Sequence, residues 1–383
     1  MLPRLGGVSR LGPLGFFAVA GLMAGCAGAG SVPSAQAERG FSSSGVRGAY
    51  GVGVTVRPKL PGTIEGFDID QHGNDGLLAS YDERSFRVSL ETFDQTTGKI
   101  TKVIREGPQR KGDYAVFGIL ARDVGFFEHG TAYDLMSPVS GNAINGSWTP
   151  PQGFEVSQIA ENQNTPAQVM LGYDFGIASA PTALVVADVA KGTAKEIALD
   201  QSVFGTGAVP VIAQDPASDE AVIAAVDGGR YTHPTIGIVN LKNGKTTTFT
   251  GLGYGEVDGI GIDSKTHTAC TTTGIDAGVE FYNLKTRRGF EVQLPHSEGS
   301  ELRSGAGVAM DPIHGLCIIA QPVPGSTTQA SQIVVADEKG EFLEEIPGFN
   351  FWFGVVPAID PAKRTGFVQS PRPEYAALAG FSY

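Results

Sequence analysis

The amino-acid sequence predicts an all-β fold, a β-propeller of seven four-stranded blades, with six or eight blades as alternatives. Three observations support this: a composition rich in turn residues, a repeat of about 48 residues, and two hairpin patterns within each repeat. The 383 residues include 53 glycines and 23 prolines, and only 18% of them are charged. Glycine and proline form the tight turns that join short strands, whereas a helical bundle would contain more Ala, Leu, Glu and Lys.

Four aspartates mark the repeat at spacings of 48, 48 and 49 residues: Asp215, Asp263, Asp311 and Asp360. Each follows a short apolar run, begins a turn, and precedes a second apolar run. Two apolar runs joined by a turn of this kind predict a β-hairpin. A period of this length indicates a fold built from repeated units, among them the propellers.

A second hairpin pattern falls between these aspartates, where Asn or Asp closes an apolar run and a glycine follows three to six residues later. The residues that close these runs are Asp94, Asp188, Asn240, Asn283 and Asp337. Asn, Asp and Gly favour the backbone conformations that tight turns need. Two hairpins per repeat give four strands, which is one propeller blade.

Six copies of this unit are predicted at residues 64–105, 114–150, 154–200, 210–250, 257–294 and 306–347. A seventh begins at Phe353 and reaches the end of the chain after only two or three strands. An unassigned strand at residues 50–57 is expected to pair with the C-terminal strands, which would complete the last blade and close the ring.

These hairpins resemble the tandem repeats of extracytoplasmic propellers of the YVTN and NHL-like class. In that class Asp-Pro precedes a turn and an apolar strand, and a later strand ends in Asp before a turn that contains Gly. The resemblance covers residues 205–369 well and residues 60–200 loosely. It implies a fold and no single activity, because such families include lactonases, other enzymes and pure binding modules.

The N-terminus predicts an exported lipoprotein of the cell envelope. Residues 1–25 are expected to be a signal peptide, with Arg4 and Arg10 followed by an apolar run at residues 14–23. Residues 22–26, Leu-Met-Ala-Gly-Cys, resemble the bacterial lipobox and assign lipidation to Cys26. An ordinary secretory signal with an incidental cysteine is the alternative. Residues 26–48 are expected to form a flexible Gly/Ala/Ser tether, and residues 49–383 the propeller domain.

The charge balance restricts the partners. The formal net charge is −12, and it becomes about −14 once a signal with two arginines and no acid is removed. A chain this acidic repels nucleic acid and anionic lipid. We therefore expect no nucleic-acid partner, and contact with the membrane through the lipid anchor alone, at the outer membrane or at a periplasmic or extracellular face. The protein is also expected to be monomeric.

Three local sequences have a functional and a structural interpretation. Cys270 and Cys317 occupy corresponding strands of neighbouring repeats and are expected to be separate buried thiols, with a disulfide as the alternative. Residues 68–75 place acids at alternate positions as calcium loops do, but Asp70 coincides with the turn aspartate of the repeat, and a turn is favoured. Residues 251–255, Gly-Leu-Gly-Tyr-Gly, are expected to form an inter-blade loop and not a phosphate cradle.

The loops at one end of the predicted blades carry the candidate ligand-binding residues. They combine aromatic side chains, histidines and both charge signs, and they are Tyr173, Arg230, Tyr231, His233, Tyr254, Glu256, Asp258, His296, Arg303 and Trp352. If these side chains converge on a concave face, they form a plausible ligand site. The alternative is that each is simply a solvated or packed loop residue.

The predicted function is a membrane-anchored envelope protein whose propeller binds a protein or glycan partner. No cofactor is predicted, no catalytic residue is assigned, and a non-enzymatic role is favoured. The alternative is a lactonase or related hydrolase that acts on a small molecule with a divalent metal in the central channel. Its weak candidate ligands are Glu256, Asp258, Glu301 and His296. A purely structural envelope role is a third possibility.

Overall fold

A computed structural model gives the fold of the chain from residue 51 to the C-terminus. The described residues exclude 61, 83, 109–118, 121–123, 130–131, 137–142, 149–153, 161–166, 175–182, 189–192, 201–203, 205–209, 216, 227–231, 256, 274–277, 296–305, 323–330, 350, 352–354 and 373–374. The predicted signal peptide, Cys26 and the tether lie outside the described residues. Residues 45–383 form one compact unit.

The described part of the chain is all-β and contains seven antiparallel four-stranded sheets. Six of them follow chain order. Sheet 1 is β2 (Thr63–Ile69), β3 (Asp75–Asp82), β4 (Arg87–Asp94) and β5 (Ile100–Pro108). Sheet 2 is β6 (Ile119–Leu120), β7 (Val124–His129), β8 (Ala132–Met136) and β9 (Ala143–Trp148). Sheet 3 is β10 (Phe154–Ala160), β11 (Ala167–Asp174), β12 (Ala183–Asp188) and β13 (Thr193–Ala198).

The next three sheets repeat the same order. Sheet 4 is β14 (Val211–Asp215), β15 (Glu220–Ala225), β16 (Thr235–Asn240) and β17 (Thr246–Thr250). Sheet 5 is β18 (Val257–Asp263), β19 (Thr268–Thr273), β20 (Gly278–Asn283) and β21 (Arg288–Gln293). Sheet 6 is β22 (Gly307–Asp311), β23 (Leu316–Pro322), β24 (Ser331–Asp337) and β25 (Phe342–Phe349).

The seventh sheet joins the two ends of the described chain. It contains β26 (Ala358–Asp360), β27 (Thr365–Arg372), β28 (Tyr375–Ser382) and β1 (Gly51–Val56), in the order β1-β28-β27-β26. β1 pairs with β28 from Gly51 opposite Ser382 to Val56 opposite Leu378. The predicted pairing of the N-terminal strand with the C-terminal strands is confirmed, and it covers an edge that β28 would otherwise expose.

The repeated aspartates close the first hairpin of their sheets as predicted. Asp70, Asp215, Asp263, Asp311 and Asp360 are all at least 97% buried. In each one, Oδ1 accepts the backbone N–H two residues later, at 2.7–3.0 Å. This Asx turn gives each buried carboxylate a hydrogen-bond donor and holds the hairpin turn in place, which explains why aspartate recurs at the repeat spacing.

The turn interpretation of Asp70 is therefore confirmed over the calcium-loop alternative. Oδ1 of Asp70 accepts the N–H of His72 at 2.8 Å. The backbone N–H of Asp70 donates to the carbonyl oxygen of Asp75 at 2.9 Å. Oδ2 lies so close to Gly73 that a Cβ at that position would overlap it. Asp70 is thus part of a compact hairpin turn.

Hydrophobic cores lie between successive sheets. Five clusters join sheets 3 and 4, 4 and 5, 5 and 6, 6 and 7, and 7 and 1. The strands divide their side chains by alternation: Leu316 and Ile318 of β23 face sheet 7, whereas Cys317 and Ile319 face sheet 5. The arrangement is consistent with a propeller-like fold.

One aromatic contact and two side-chain hydrogen bonds join the last sheet to the first. Phe93 and Phe367 meet edge to face with ring centroids 5.3 Å apart. Gln71 Nε2 donates to the carbonyl oxygen of Ile359 at 3.1 Å, and Gln369 Nε2 donates to that of Ile64 at 3.0 Å. The two ends of the chain thus meet in one packed interface.

Cys270 and Cys317 form a disulfide, so the expectation of two separate thiols is wrong. The second strands of sheets 5 and 6 carry them, and their Cα atoms are 6.5 Å apart. That distance lies within the range that a disulfide spans. Both side chains are fully buried in the core between these sheets, where Cys317 and its partner cross-link consecutive repeats.

Within the described ranges, no helix combines the length and apolar character needed to cross a membrane.

Candidate functional site

Three of the ten candidate ligand-binding residues have described side chains: His233, Tyr254 and Asp258. Tyr173 lies in β11, where its backbone pairs with Glu155 and its side chain is not described. The remaining six lie outside the described residues: Arg230, Tyr231, Glu256, His296, Arg303 and Trp352. The convergence of all ten on one face stays a prediction.

The structure brings His233 and Tyr254 together as a pair of stacked rings. Their centroids are 4.1 Å apart and their planes are inclined by 31°. Both side chains are exposed, Tyr254 by 38%. We call this pair the aromatic platform. Two rings held together and open to water offer an apolar surface with polar edges.

Backbone pairing places the two rings side by side. Residues 232–234 precede β16 and residues 251–255 follow β17, and these two strands pair antiparallel, with Thr235 opposite Thr250. Beyond the last pair, the carbonyl oxygen of Pro234 accepts the N–H of Gly251 at 2.7 Å. The carbonyl oxygen of Thr232 accepts the N–H of Gly255 at 3.1 Å. The platform therefore extends the end of a regular hairpin.

A side-chain contact fixes the histidine on this loop. His233 Nδ1 lies 2.7 Å from the carbonyl oxygen of Gly253. Gly253 has a φ of +63°, in the left-handed region that glycine adopts without strain. We call residues 251–255 the platform loop. The backbone of this loop orients His233, and Tyr254 is the residue that follows Gly253.

A buried glutamate lies directly under the platform loop. Glu280 of β20 is fully buried, and a Cβ at Gly253 would overlap its Oε1. Its Oε2 accepts the hydroxyl of Thr271 and its Oε1 that of Thr273, both at 2.7 Å. Burial raises the pKa of Glu280 to about 8, because the charged form loses its hydration, and the negative charge of Glu291 adds to the effect. Burial therefore favours the neutral form of this carboxyl.

Tyr282 holds the start of the same loop. Its hydroxyl oxygen accepts the N–H of Leu252 at 2.7 Å, and its ring packs edge to face on Phe249 with centroids 5.6 Å apart. Burial raises the pKa of Tyr282 above its usual range. Two buried side chains of β20 thus underlie the loop that carries the platform.

Glu91 occupies the same position in sheet 1. Like Glu280, it stands three residues before the residue that closes the third strand, and it is fully buried. The N–H of Lys59 donates to both of its carboxyl oxygens, at 2.9 and 3.1 Å, and the Ser89 hydroxyl donates at 2.6 Å. Lys59 lies on the connection that enters sheet 1 from β1, as the platform loop lies on the connection that enters sheet 5.

Neither glutamate is among the residues predicted from the sequence. A signal was present, because each lies inside an otherwise apolar stretch, Leu90-Glu-Thr-Phe93 and Val279-Glu-Phe281. A carboxyl at a core position indicates a specific polar contact, since burial without hydrogen bonds is costly.

Asp258 is the described member of the four metal ligands required by the lactonase alternative. It lies at a bulge in β18, between Val257, which pairs with Thr273, and Gly259, which pairs with Thr272. Among the residues that the structure describes, no three His, Cys, Asp or Glu side chains are grouped to hold a metal ion. Glu256, His296 and Glu301 lie outside them, so that site stays an untested prediction.

No protein-family model matches the sequence, and no curated protein was found to match it. Functional inference therefore rests on the geometry of the site.

Proposed function

We propose that this chain is an envelope lipoprotein, anchored through Cys26, whose seven-bladed propeller binds a protein or glycan partner at the loops around the aromatic platform. The exposed, stacked pair of His233 and Tyr254 is the observation that carries the binding role. The propeller, the lipid anchor and the resemblance to the YVTN and NHL-like class form its structural context.

The sheet architecture supports the seven-bladed arrangement. Seven four-stranded sheets follow one another along the chain, and five core clusters join successive sheets, including the last and the first. β1 supplies the outer strand of the last sheet, as a strand that closes a ring of blades does. In such a ring the loops that enter each blade share one end with the loops between its second and third strands.

The fixed geometry of the platform supports ligand binding. A tyrosine and a histidine lose few side-chain rotamers on binding, and here both are already ordered by the platform loop. A sugar ring or an aromatic side chain of a partner can stack on such a surface, and the polar ring edges can form hydrogen bonds. An exposed aromatic pair with rigid backing is therefore suited to recognition.

A binding experiment with matched aromatic variants tests the proposal. Full-length protein in detergent is titrated with purified cell-wall glycan fragments and with solubilised envelope proteins, and the same titrations are repeated with His233→Ala and Tyr254→Ala. Loss of one stacking surface is expected to weaken the Kd about tenfold. Phe86→Ala, which removes an aromatic side chain that is 64% exposed elsewhere, should leave the Kd unchanged. Equal affinities for all four proteins would refute the role of the platform.

Cell fractionation tests the anchor separately. The Cys26→Ser variant should move from the membrane fraction to the soluble fraction, since it lacks the thiol that receives the lipid. A variant that stays with the membrane would remove the anchor from the proposal and leave the binding site untouched.

A further inference from the structure

We propose that Glu280 is a proton-dependent switch that holds the platform loop closed while its carboxyl is protonated and releases the loop when the proton leaves. The consequence for ligand affinity rests on the proposed function, whereas the movement of the loop does not. The platform would accordingly be ordered in acidic surroundings and increasingly mobile as the pH approaches 8.

Geometry gives Glu280 direct control over the loop. Gly253 covers its Oε1 so closely that no side chain fits between them. The other polar contacts of the carboxyl are the hydroxyls of Thr271 and Thr273, at 2.7 Å. A hydroxyl can serve a neutral acid and a carboxylate alike, but two of them do not replace the hydration of a full charge. A negative charge on Glu280 would be solvated only if water reached the carboxylate.

The platform loop is the nearest path for that water. Three glycines at 251, 253 and 255 leave the loop with few side chains of its own to bury. Its described attachments are the hydrogen bonds of Gly251, Leu252 and Gly255 and the packing of the Leu252 side chain against the core between sheets 4 and 5. Lifting the loop costs these contacts and exposes the carboxyl beneath it.

The neighbouring charged and ionisable groups also disfavour a carboxylate at Glu280. Glu291 of β21 lies opposite Glu280 on the sheet and disfavours its ionisation. On its own strand Tyr282 is neutral at all moderate pH values, because burial holds its pKa above the usual range. On the loop side are His233 and Tyr254, which contact each other and flank Gly253. None of these described groups is a Lys or Arg that would compensate a charge on Glu280.

The direction of the pH effect follows from the two positions of the loop. In the closed position the pKa of Glu280 is about 8, and in the open position water returns it towards the ordinary value of 4.5. The closed form therefore binds more protons between these two values, and raising the pH across this window favours opening. Below pH 4.5 and above pH 8 the equilibrium no longer changes with pH.

Amide hydrogen exchange of the full-length protein without ligand measures this opening. The N–H groups of Gly251, Leu252 and Gly255 are hydrogen-bonded in the closed loop. Their protection factors, corrected for the intrinsic pH dependence of exchange, should fall about tenfold per pH unit between pH 5 and 8 and then level off. The Glu280→Gln variant keeps the shape of the side chain without the titration, and its protection should be independent of pH.

Two further variants make the outcome decisive. Glu91→Gln changes the matching residue of sheet 1 and should keep the pH dependence of the wild-type loop. Glu291→Gln changes an exposed residue, and it should move the levelling point to lower pH, because a repelling charge is removed. This second test holds even if Glu280→Gln fails to fold.

Protection factors of the wild-type loop that do not vary with pH would overturn the switch, as would an undiminished pH dependence in Glu280→Gln. Because no ligand is present, such a result would leave the binding role of the platform untouched. Conversely, a pH-dependent loop in a protein that binds no tested partner would retain the switch and remove the proposed function.

Discussion

The disulfide between Cys270 and Cys317 should contribute several kcal/mol to the stability of the fold. It joins residues 47 positions apart, in the central strands of two consecutive sheets. A cross-link of this kind removes conformations from the unfolded chain more than it adds contacts to the folded one. The perturbation is the double variant Cys270→Ala/Cys317→Ala, prepared with Cys26→Ser so that no thiol remains.

The loop length sets the magnitude. For a closed loop of 47 residues, the loss of chain entropy in the unfolded state corresponds to about 4 kcal/mol at 25 °C. The compact unit spans residues 45–383, and an unfolding entropy of about 2.1 cal/mol/K per residue gives roughly 0.7 kcal/mol/K for it. Loss of the cross-link should therefore lower the Tm by about 6 °C.

Differential scanning calorimetry of three samples separates the cross-link from packing. The first is the oxidised Cys26→Ser protein, the second is the same protein unfolded and refolded in reductant, and the third is the double alanine variant. The reduced protein keeps both sulfur atoms, so its Tm reports the cross-link alone, and the alanine variant adds the loss of two buried Sγ atoms. A reduced protein that melts within about 1 °C of the oxidised one would refute the entropic reasoning.

Three further predictions concern single side chains. Asp311→Ala removes the acceptor of the Ile313 and His314 N–H groups and should cost about 3 kcal/mol in a urea titration, whereas Asp82→Ala in a surface turn should leave the midpoint unchanged. Gly253→Ala should lower the Tm and disorder the platform loop, because the added Cβ overlaps Glu280. Gly107→Ala, with open space around it, should leave the Tm unchanged, and equal Tm values for the two variants would contradict the prediction. In Glu280→Gln, the loss of stability on going from pH 5 to 8, at most about 4 kcal/mol in the wild type, should disappear from the pH dependence of the Tm; the same slope in both proteins would contradict it.

The hairpin repeat was predictable because it is local. A turn aspartate binds a backbone N–H two residues away, so its position in the sequence is dictated by its own hairpin and by nothing distant. Short continuous apolar runs likewise indicate strands that are buried on both faces before any partner is known. This is why the all-β class and the spacing of the sheets could be predicted. The pairing of residues 50–57 with the C-terminal strands is not local, and it was predicted because the last repeat unit lacked a strand that a closed ring requires.

The candidate site was predictable only in part. His233 and Tyr254 were recognised as loop residues of suitable chemistry, but their stacking depends on how the ends of β16 and β17 pair, which is a matter of three-dimensional register. Glu280 was missed because its role depends on Gly253, which belongs to a connection before the sheet begins.

The repeat, the hairpins and the turn aspartates could be recognised before folding is considered, because each depends on interactions between residues that are close in the chain. The meeting of Cys270 and Cys317 is visible only in the folded protein, since a distance between strands of different sheets is set by how those sheets pack and not by the spacing of the residues. The same holds for the neutral carboxyl of Glu280. Its protonation follows from the loop that covers it, and desolvation is a property of the folded interior.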